Sequence, residues 1–541
     1  MAEDELRDAP AYEADYVVVG AGSAGCVLAN RLSQDGRTRV VLLEAGGPDR
    51  NPWIHVPIGY GKLFKHPGLN WMYHTEPEPE LDGRAIFQPR GKVLGGSSSI
   101  NGLVYVRGQR EDFDGWRQAG LAGWGYDDVL PYFRKAEDQA RGSDAFHGTG
   151  GPLAVSDATG PDPLCDAFVA AAAEDGVPPN PDFNGRTQEG AGYFQTTSRA
   201  GLRWSTAKAY LKPARSRPNL RVITGALATR IVLDGRRAVG VAFRQGGREA
   251  WIRAGREVVL AGGAFNSPQL LQLSGIGPAA LLGEHGIPVA HHLPGVGEAL
   301  QDHLQARIVM RTRGPITVND RLGSFAGRIG AGLRWALFRT GPLTVSAGYA
   351  GAFFRTDPRL ASPDIQVHFI TFSTDRMGEN LHPFSAFTAS ICPLRPESRG
   401  TVRIRSTDPT VPPAIRANYL ATETDRLTAV SGLKRLRSIL ARPAMAALTS
   451  AEHLPGPTVR SDDEILAYIR QTASTIYHPS CTCRMGSDPG AVVDARLRVH
   501  GLAGLRVADG SVMPSVVSGN TNAAIVMIGE KAADMIREDA A

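Results

Sequence analysis

Short aliphatic runs, glycine turns and helical spacings follow one another along this chain. Asp15–Val19 is a β-branched run that predicts a strand. Gly20-Ala21-Gly22-Ser23-Ala24-Gly25 predicts a tight turn, and Cys26–Leu32 a helix. A second strand, Arg39–Leu43, ends at Glu44. Residues 90–104 combine glycines and serines with an apolar continuation. Residues 257–278 read as a strand, a glycine turn and a helix carrying Pro268 in its first turn. Further strands are expected at Ile365–Ile370, Ser385–Ala389 and Thr401–Arg405. Near the end, Leu505–Asp509 enters a turn at Gly510. Ile525, Ile528, Ala532 and Met535 then recur at helical spacing and bury one face. Residues 51–88 carry prolines and aromatics without a period, as either an entrance-covering loop or an excursion packed on the surface.

With 541 residues the chain is long enough for several domain-equivalents, and 42% hydrophobic with 21% charged residues excludes a disordered or fibrous protein. The net charge of +5 is too small to point to nucleic acid. Residues 1–16 hold six acids and one base, a solvated start opposite in charge to a targeting peptide. No run reaches the ~20 apolar residues of a spanning helix. The five cysteines are odd in number and sparse, which fits reduced thiols in a cytoplasmic protein. Cys481 and Cys483 lack a partner set at zinc spacing, so no metal site is expected. The basic stretch 199–217 reads as a solvated helix face, with membrane association peripheral at most.

The first turn carries specific chemistry. Gly20 permits the bend, Gly22 lets backbone approach a pyrophosphate, and Gly25 lets helix pack on strand. The helix N-terminus offers free N–H groups to phosphate. Glu44, 19 residues beyond Gly25, stands where a ribose diol would be gripped. These features predict a dinucleotide site and leave FAD and NAD both open. The 90–104 segment can wrap a flat ring with backbone donors.

With the stretches RGKVLGGSSSIN (90–101), GAFNSPQLLQLSGIGP (263–278), Val296-Gly297 through His303 and the C-terminal third, the chain resembles the glucose–methanol–choline (GMC) flavoprotein oxidoreductases. The likeness spans nearly the whole length and is greatest to the choline-dehydrogenase and alcohol-dehydrogenase branch. It implies an α/β (α+β overall) protein: a doubly wound, Rossmann-like FAD domain and a substrate domain on a mostly antiparallel sheet. The FAD domain is expected to draw on 12–155, 196–305 and 475–541, and the substrate domain on 156–195 and 306–474. The resemblance implies cofactor contacts from Gly20, Gly22, Ser23, Ala24, Gly25, Glu44, Val93, Gly96, Ser97, Asn101, Gly102, Leu103, Val104, Ala228, Asp509 and Gly510. It assigns catalysis to His478, in YHPSCTCRMG, and to Asn522, in SGNTNAA, facing the flavin together. The imidazole would accept the alcohol proton and the carboxamide would hold the oxygen. Some members attach FAD through a histidine before the asparagine of the glycine–serine stretch. Ile100 stands there, so non-covalent FAD is expected. A helix starting near Thr521 would aim its positive end at the flavin.

The leading function is oxidation of a primary alcohol to an aldehyde, with electrons passed to a quinone-type acceptor. The alternative is an oxidase using O2 and releasing H2O2, for which an apolar Ile476 beside the flavin would be a signature. Choline dehydrogenase proper, a lyase or photodecarboxylase on this scaffold, and an NAD-linked enzyme rank lower. A quaternary ammonium would want an aromatic box, for which Phe353, Phe354 and Phe369 are candidates beside a plain core reading.

Overall fold

The computed structural model describes residues 9–158, 160–376 and 378–540. Most of the acidic start (Glu3, Asp4, Glu5, Arg7 and Asp8) therefore lies outside the described residues. The first of two large sheets has the strand order Leu220–Thr224, Val40–Glu44, Tyr12–Val19, Arg248–Leu260, Arg237–Gln245, Ala226–Asp234. Leu505–Val507 also pairs with Arg248–Leu260. The pairs around Tyr12–Val19 are parallel, as is the one to Leu505–Val507. The last two in order are antiparallel. Val40–Glu44 is buried throughout, as a strand covered on both faces must be, and this is why it reads as an unbroken apolar run. The first strand begins at Tyr12 rather than Asp15, because Tyr12–Ala14 pair with Ile252–Ala254 across a long sequence separation.

Helix Ser23–Leu32 packs against the C-terminal helix Asn522–Asp539. The contact is close: a β-carbon on Gly529 would lie 3.2 Å from Ala24 Cα. Instead of burying one face, the C-terminal helix buries nearly its whole circumference, including Glu530. That carboxylate is held by the Arg31 guanidinium at 2.7–3.1 Å and by the Tyr210 hydroxyl at 2.8 Å. A buried charge paired in this way costs far less than an isolated one.

The second sheet is antiparallel, in the order Thr449–Leu454, Leu304–Thr312, Ala386–Pro393, Ile365–Ile370, Ala350–Phe354, Gly190–Tyr193. The run expected as a strand of this sheet from Thr401 is instead Thr401–Arg403, paired with Ala414–Arg416 in a separate ribbon. Its partner is set by the nearby return of the chain rather than by its alternating pattern. Phe354 and Phe369 pack in the core under this sheet, and Phe353 in a neighbouring cluster.

The helix Gly263–Leu273 begins earlier than Pro268 suggests, so the proline falls in its second turn. Proline there removes one backbone donor, and the Ala264 carbonyl four residues back loses its partner. The Thr482 hydroxyl donates to that carbonyl at 2.6 Å and replaces the missing bond. Residues 51–88 form short helical turns and an antiparallel pairing of Tyr73–His74 with Phe87–Gln88; Tyr60 and Phe64 pack with Leu103, Val345 and Ile370.

Candidate active site

One bent cleft crosses the interface of the two sheets. Its first part, about 1170 Å³, is lined by Gly20, Gly22, Ser23, Ala24, Glu44, Gly96, Ser97, Ala228, Asp509 and Gly510. The second part, about 960 Å³, is lined by Asn101, Gly102, Leu103, Val104, His478, Asn520 and Asn522. Ser23, Arg90, Ser97 and Ile525 line both, so the two are continuous. Two of the expected contacts do not reach the cleft. Gly25 lies behind the turn, where a β-carbon would fall 1.8 Å from the Gly20 carbonyl oxygen, so it serves packing alone. Val93 points into a small cluster with Ile54, Leu63, Leu69 and Ile100, because its backbone is drawn into a bridge with Gly47.

The turns are built for close approach. Gly20 has φ +99°, and a β-carbon there would strike the Ala261 carbonyl oxygen at 2.6 Å. A β-carbon on Gly96 would come within 2.7 Å of Gly22 Cα, whereas one on Gly22 would make only an ordinary contact, 3.7 Å from the Ala261 carbonyl oxygen. Glu44 accepts from the Ala21 and Gly46 N–H groups at 2.9 and 2.8 Å. Burial nevertheless pushes its carboxyl up to about 7. Lone pairs remain on it for a diol. Asp509 accepts from Gly263 N–H and from the Ser267 hydroxyl, tying the two glycine turns together. This cradle fits a dinucleotide that carries a flat ring.

Arg203, read from sequence as part of a solvated basic face, is fully buried. It donates to the carbonyls of Ile54, Ser98 and Asn101 and to Asn101 Oδ1 at 2.6–3.1 Å, bracing the 98–101 turn. Burial without a carboxylate lowers its pKa to about 9.

At the far end stands His478. Its backbone N–H is held by Asp302 Oδ1 at 2.7 Å. The opposite carboxylate oxygen of Asp302 takes hydrogen bonds from Tyr419, Thr475 and Gln88. His478 Nδ1 lies 3.0 Å from His303 Nδ1, and His303 Nε2 lies 2.9 Å from the Leu394 carbonyl oxygen. A carbonyl can only accept, so His303 carries its proton on Nε2 and presents a bare Nδ1. His478 must then carry its own proton on Nδ1. Its Nε2 is left as a lone pair on the cleft side, where Asn520 Nδ2 donates to it at 3.2 Å. Gln366 Nε2 donates to Asn520 Oδ1 at 3.1 Å and fixes which way that amide faces.

The carboxamide that meets the imidazole is therefore Asn520, and the expected pairing with Asn522 is corrected. Asn522 lines the same cavity but accepts from the Ser23 hydroxyl at 2.8 Å. It is the first residue of the C-terminal helix, so its side chain is turned toward the glycine-turn helix. The sequence offered two asparagines two residues apart, and only the helix start separates their directions.

Electrostatics favour a neutral base. Desolvation above all holds the His478 pKa well below the ordinary imidazole value, and the positive charge of Arg90 acts in the same direction. His368 shares the cavity, buried with both ring nitrogens lacking a hydrogen-bond partner among the described residues. Burial lowers its pKa to about 4. Arg90, lowered to about 10 by burial, is the one Arg, Lys, Asp or Glu on the wall of this second part among the described residues. Arg90, His303 and Asn520 fall inside the distinctive stretches yet take no role from the sequence, and His368 lies outside them, because what each side chain faces is set by remote partners.

Comparison with known proteins places the chain in a family. Two family models, each described as GMC oxidoreductase, match residues 14–305 and 396–529. An alcohol dehydrogenase [acceptor] of Pseudomonas putida is 46% identical over 528 residues, covering 96% of this chain and 95% of that protein. An oxygen-dependent choline dehydrogenase of Brucella anthropi is 45% identical over 527 residues, covering 97% and 95%. The crystal structure of pyridoxine 4-oxidase from Mesorbium loti superposes with a TM-score of 0.88 at 33% identity, covering 97% of this chain and 99% of that one.

Proposed function

Because the chain belongs to the GMC oxidoreductase family, and so is an FAD-dependent enzyme acting on CH–OH donors, we propose that it oxidises a neutral primary alcohol to an aldehyde. His478 is the base and Asn520 its carboxamide partner. FAD, when bound, supplies the two-electron acceptor. The glycine turn, Glu44, Ala228, Asp509 and Gly510 would hold its dinucleotide part, and residues 96–104 its ring. The substrate hydroxyl takes the place of Asn520 Nδ2 at the His478 Nε2 lone pair and donates to it, while accepting from Asn520 Nδ2. As the proton leaves, the imidazole shares its positive charge with His303 through Nδ1–H. The adjacent Arg90 favours the negative oxygen, and the first turn of the C-terminal helix adds its positive end. Fixing both partners before the substrate arrives removes a reorganisation cost at the reacting carbon.

The observation that carries the substrate class is the charge on the wall. Among the described residues a quaternary ammonium would meet Arg90 and no carboxylate, while Phe64, Leu103, Val104, Ile370 and Ile476 offer apolar surface. The orphan nitrogens of His368 leave a polar foothold for a hydroxyl. Anaerobic flavin bleaching against choline and a series of aliphatic and aromatic alcohols tests this. The neutral alcohols should give the higher second-order rates; choline exceeding them all would overturn the assignment.

Electrons are proposed to pass onward to a quinone-type acceptor; the alcohol dehydrogenase relative's name leaves its acceptor unspecified, and the choline dehydrogenase relative is named for oxygen. Ile476 on the cavity wall favours a second reading, in which oxygen dwells beside the ring and peroxide forms. Peroxide yield during turnover in air, set against turnover with a soluble quinone, separates the two. Ile100, buried where an attached histidine would stand, supports non-covalent FAD. Acid precipitation should release all the flavin into the supernatant. The five cysteines are all unpaired and buried, which supports a reducing, cytoplasmic setting.

A further inference from the structure

One helix is built inside out. Phe325–Phe338 turns Ala331 inward, with half-buried Gly327 and Trp335 beside it, and Trp335 Nε1 donates to the Gly201 carbonyl oxygen. Outward, at a spacing of four, stand Phe325, Ile329, Leu333 and Leu337, followed by Phe338, and these side chains are 47–74% exposed. Together they place on the order of 500 Å² of apolar surface in one strip, at the upper end for a monomer's largest patch.

The charge around this strip identifies what it meets. Residues 321–354 contain Arg321, Arg328, Arg334 and Arg339 and no Asp or Glu. Arg328 and Arg334 are exposed, and neither has a carboxylate partner among the described residues. An apolar face flanked by unpaired arginines suits the boundary of an anionic bilayer, apolar residues inserted and guanidinium groups on the headgroups. A second copy of the chain would set the same arginines against themselves without an acid to relieve them. No described helix is long and apolar enough to cross a membrane, so the contact is one of surface. The chain leaving this helix runs through Pro342–Thr344 to Ala347, which lines the second part of the cleft and donates its N–H to the Gly102 carbonyl.

We propose that Phe325–Phe338 docks this protein on an anionic lipid surface, with the substrate end of the cleft beside it. The proposal is independent of the alcohol reading, since binding requires no turnover. The test is flotation of the full-length, FAD-loaded protein with vesicles of phosphatidylcholine, alone or with about one quarter phosphatidylglycerol. Protein should float with the anionic vesicles and release at high salt. Leu333→Asp with Leu337→Asp should lower the bound fraction at least ~10-fold, and Arg328→Gln with Arg334→Gln should lower it about 10-fold. Both variants should keep the flavin spectrum and wild-type turnover of a water-soluble alcohol, which excludes misfolding. Failure of the wild type to float would overturn the proposal. Equal flotation of the Leu333/Leu337 variant, or a dimer that this variant dissociates without any vesicle binding, would do the same.

Discussion

His303 Nδ1 and His478 Nδ1 lie 3.0 Å apart, two like atoms that can bond only when one of them holds a proton. The Leu394 carbonyl on the far side of His303 decides which, so the Nε2 of His478 carries no proton and turns its lone pair to the cleft side, where Asn520 donates to it. His303→Leu removes the acceptor and should slow flavin reduction by about 10- to 100-fold, matching the ~1–3 kcal/mol cost of an orphaned buried donor. His303→Asn keeps an oxygen near the position of Nδ1 and should recover most of the rate. Rapid-mixing measurements on both variants check this; equal rates for the two would remove the tautomer argument.

Asn520 and Asn522 should separate kinetically. Asn520→Ala should lower the rate of flavin reduction by about 10-fold or more, the value of a hydrogen bond to a charged group. Asn522→Ala should weaken FAD retention through the lost Ser23 contact while changing the reduction step less. FAD dissociation and anaerobic reduction, measured on each variant, give the two numbers.

The glycine turn, both flanking strands and Glu44 were legible because a backbone shape forces those residue types at fixed spacing. His478 was legible because its segment is distinctive. What escaped were residues whose role depends on direction or on remote partners. Asn520 and Asn522 differ only in where a helix begins. Arg203 looks like any surface arginine until the Ile54, Ser98 and Asn101 carbonyls surround it. Thr401 alternates like a sheet strand but finds its partner in Ala414–Arg416.

Acid should destabilise the folded protein through its buried neutral imidazoles. His368 is lowered to about 4, from an ordinary value of 6.5. Above about 6.5 neither the folded nor the unfolded state holds that proton, and the full stability is present. As pH falls from 6.5 toward 4 only the unfolded chain takes it up, and on the order of 3 kcal/mol is lost. His368→Phe should flatten this limb of the stability–pH curve, measured by urea unfolding of the FAD-loaded protein.

Arg203→Met should cost about 3 kcal/mol or more, since several buried carbonyl oxygens lose their donor together. The 98–101 turn loosens with it, so FAD content after purification should fall along with the thermal midpoint. A variant that keeps full flavin occupancy would show that the turn holds its shape unaided.

Thr482→Val should destabilise by about 1 kcal/mol, leaving the Ala264 carbonyl without a donor. In a Pro268→Ala background the restored N–H at 268 can serve that carbonyl. The same threonine change should then cost less, and a double-mutant unfolding cycle measures the difference.

The most direct measurement is the rate of anaerobic flavin bleaching by a neutral alcohol in His478→Ala that retains its FAD. A loss of ~10²–10⁴-fold is expected from removing a positioned general base. A rate within about twofold of wild type would mean that another group takes the hydroxyl proton, and the assignment of the base would be wrong.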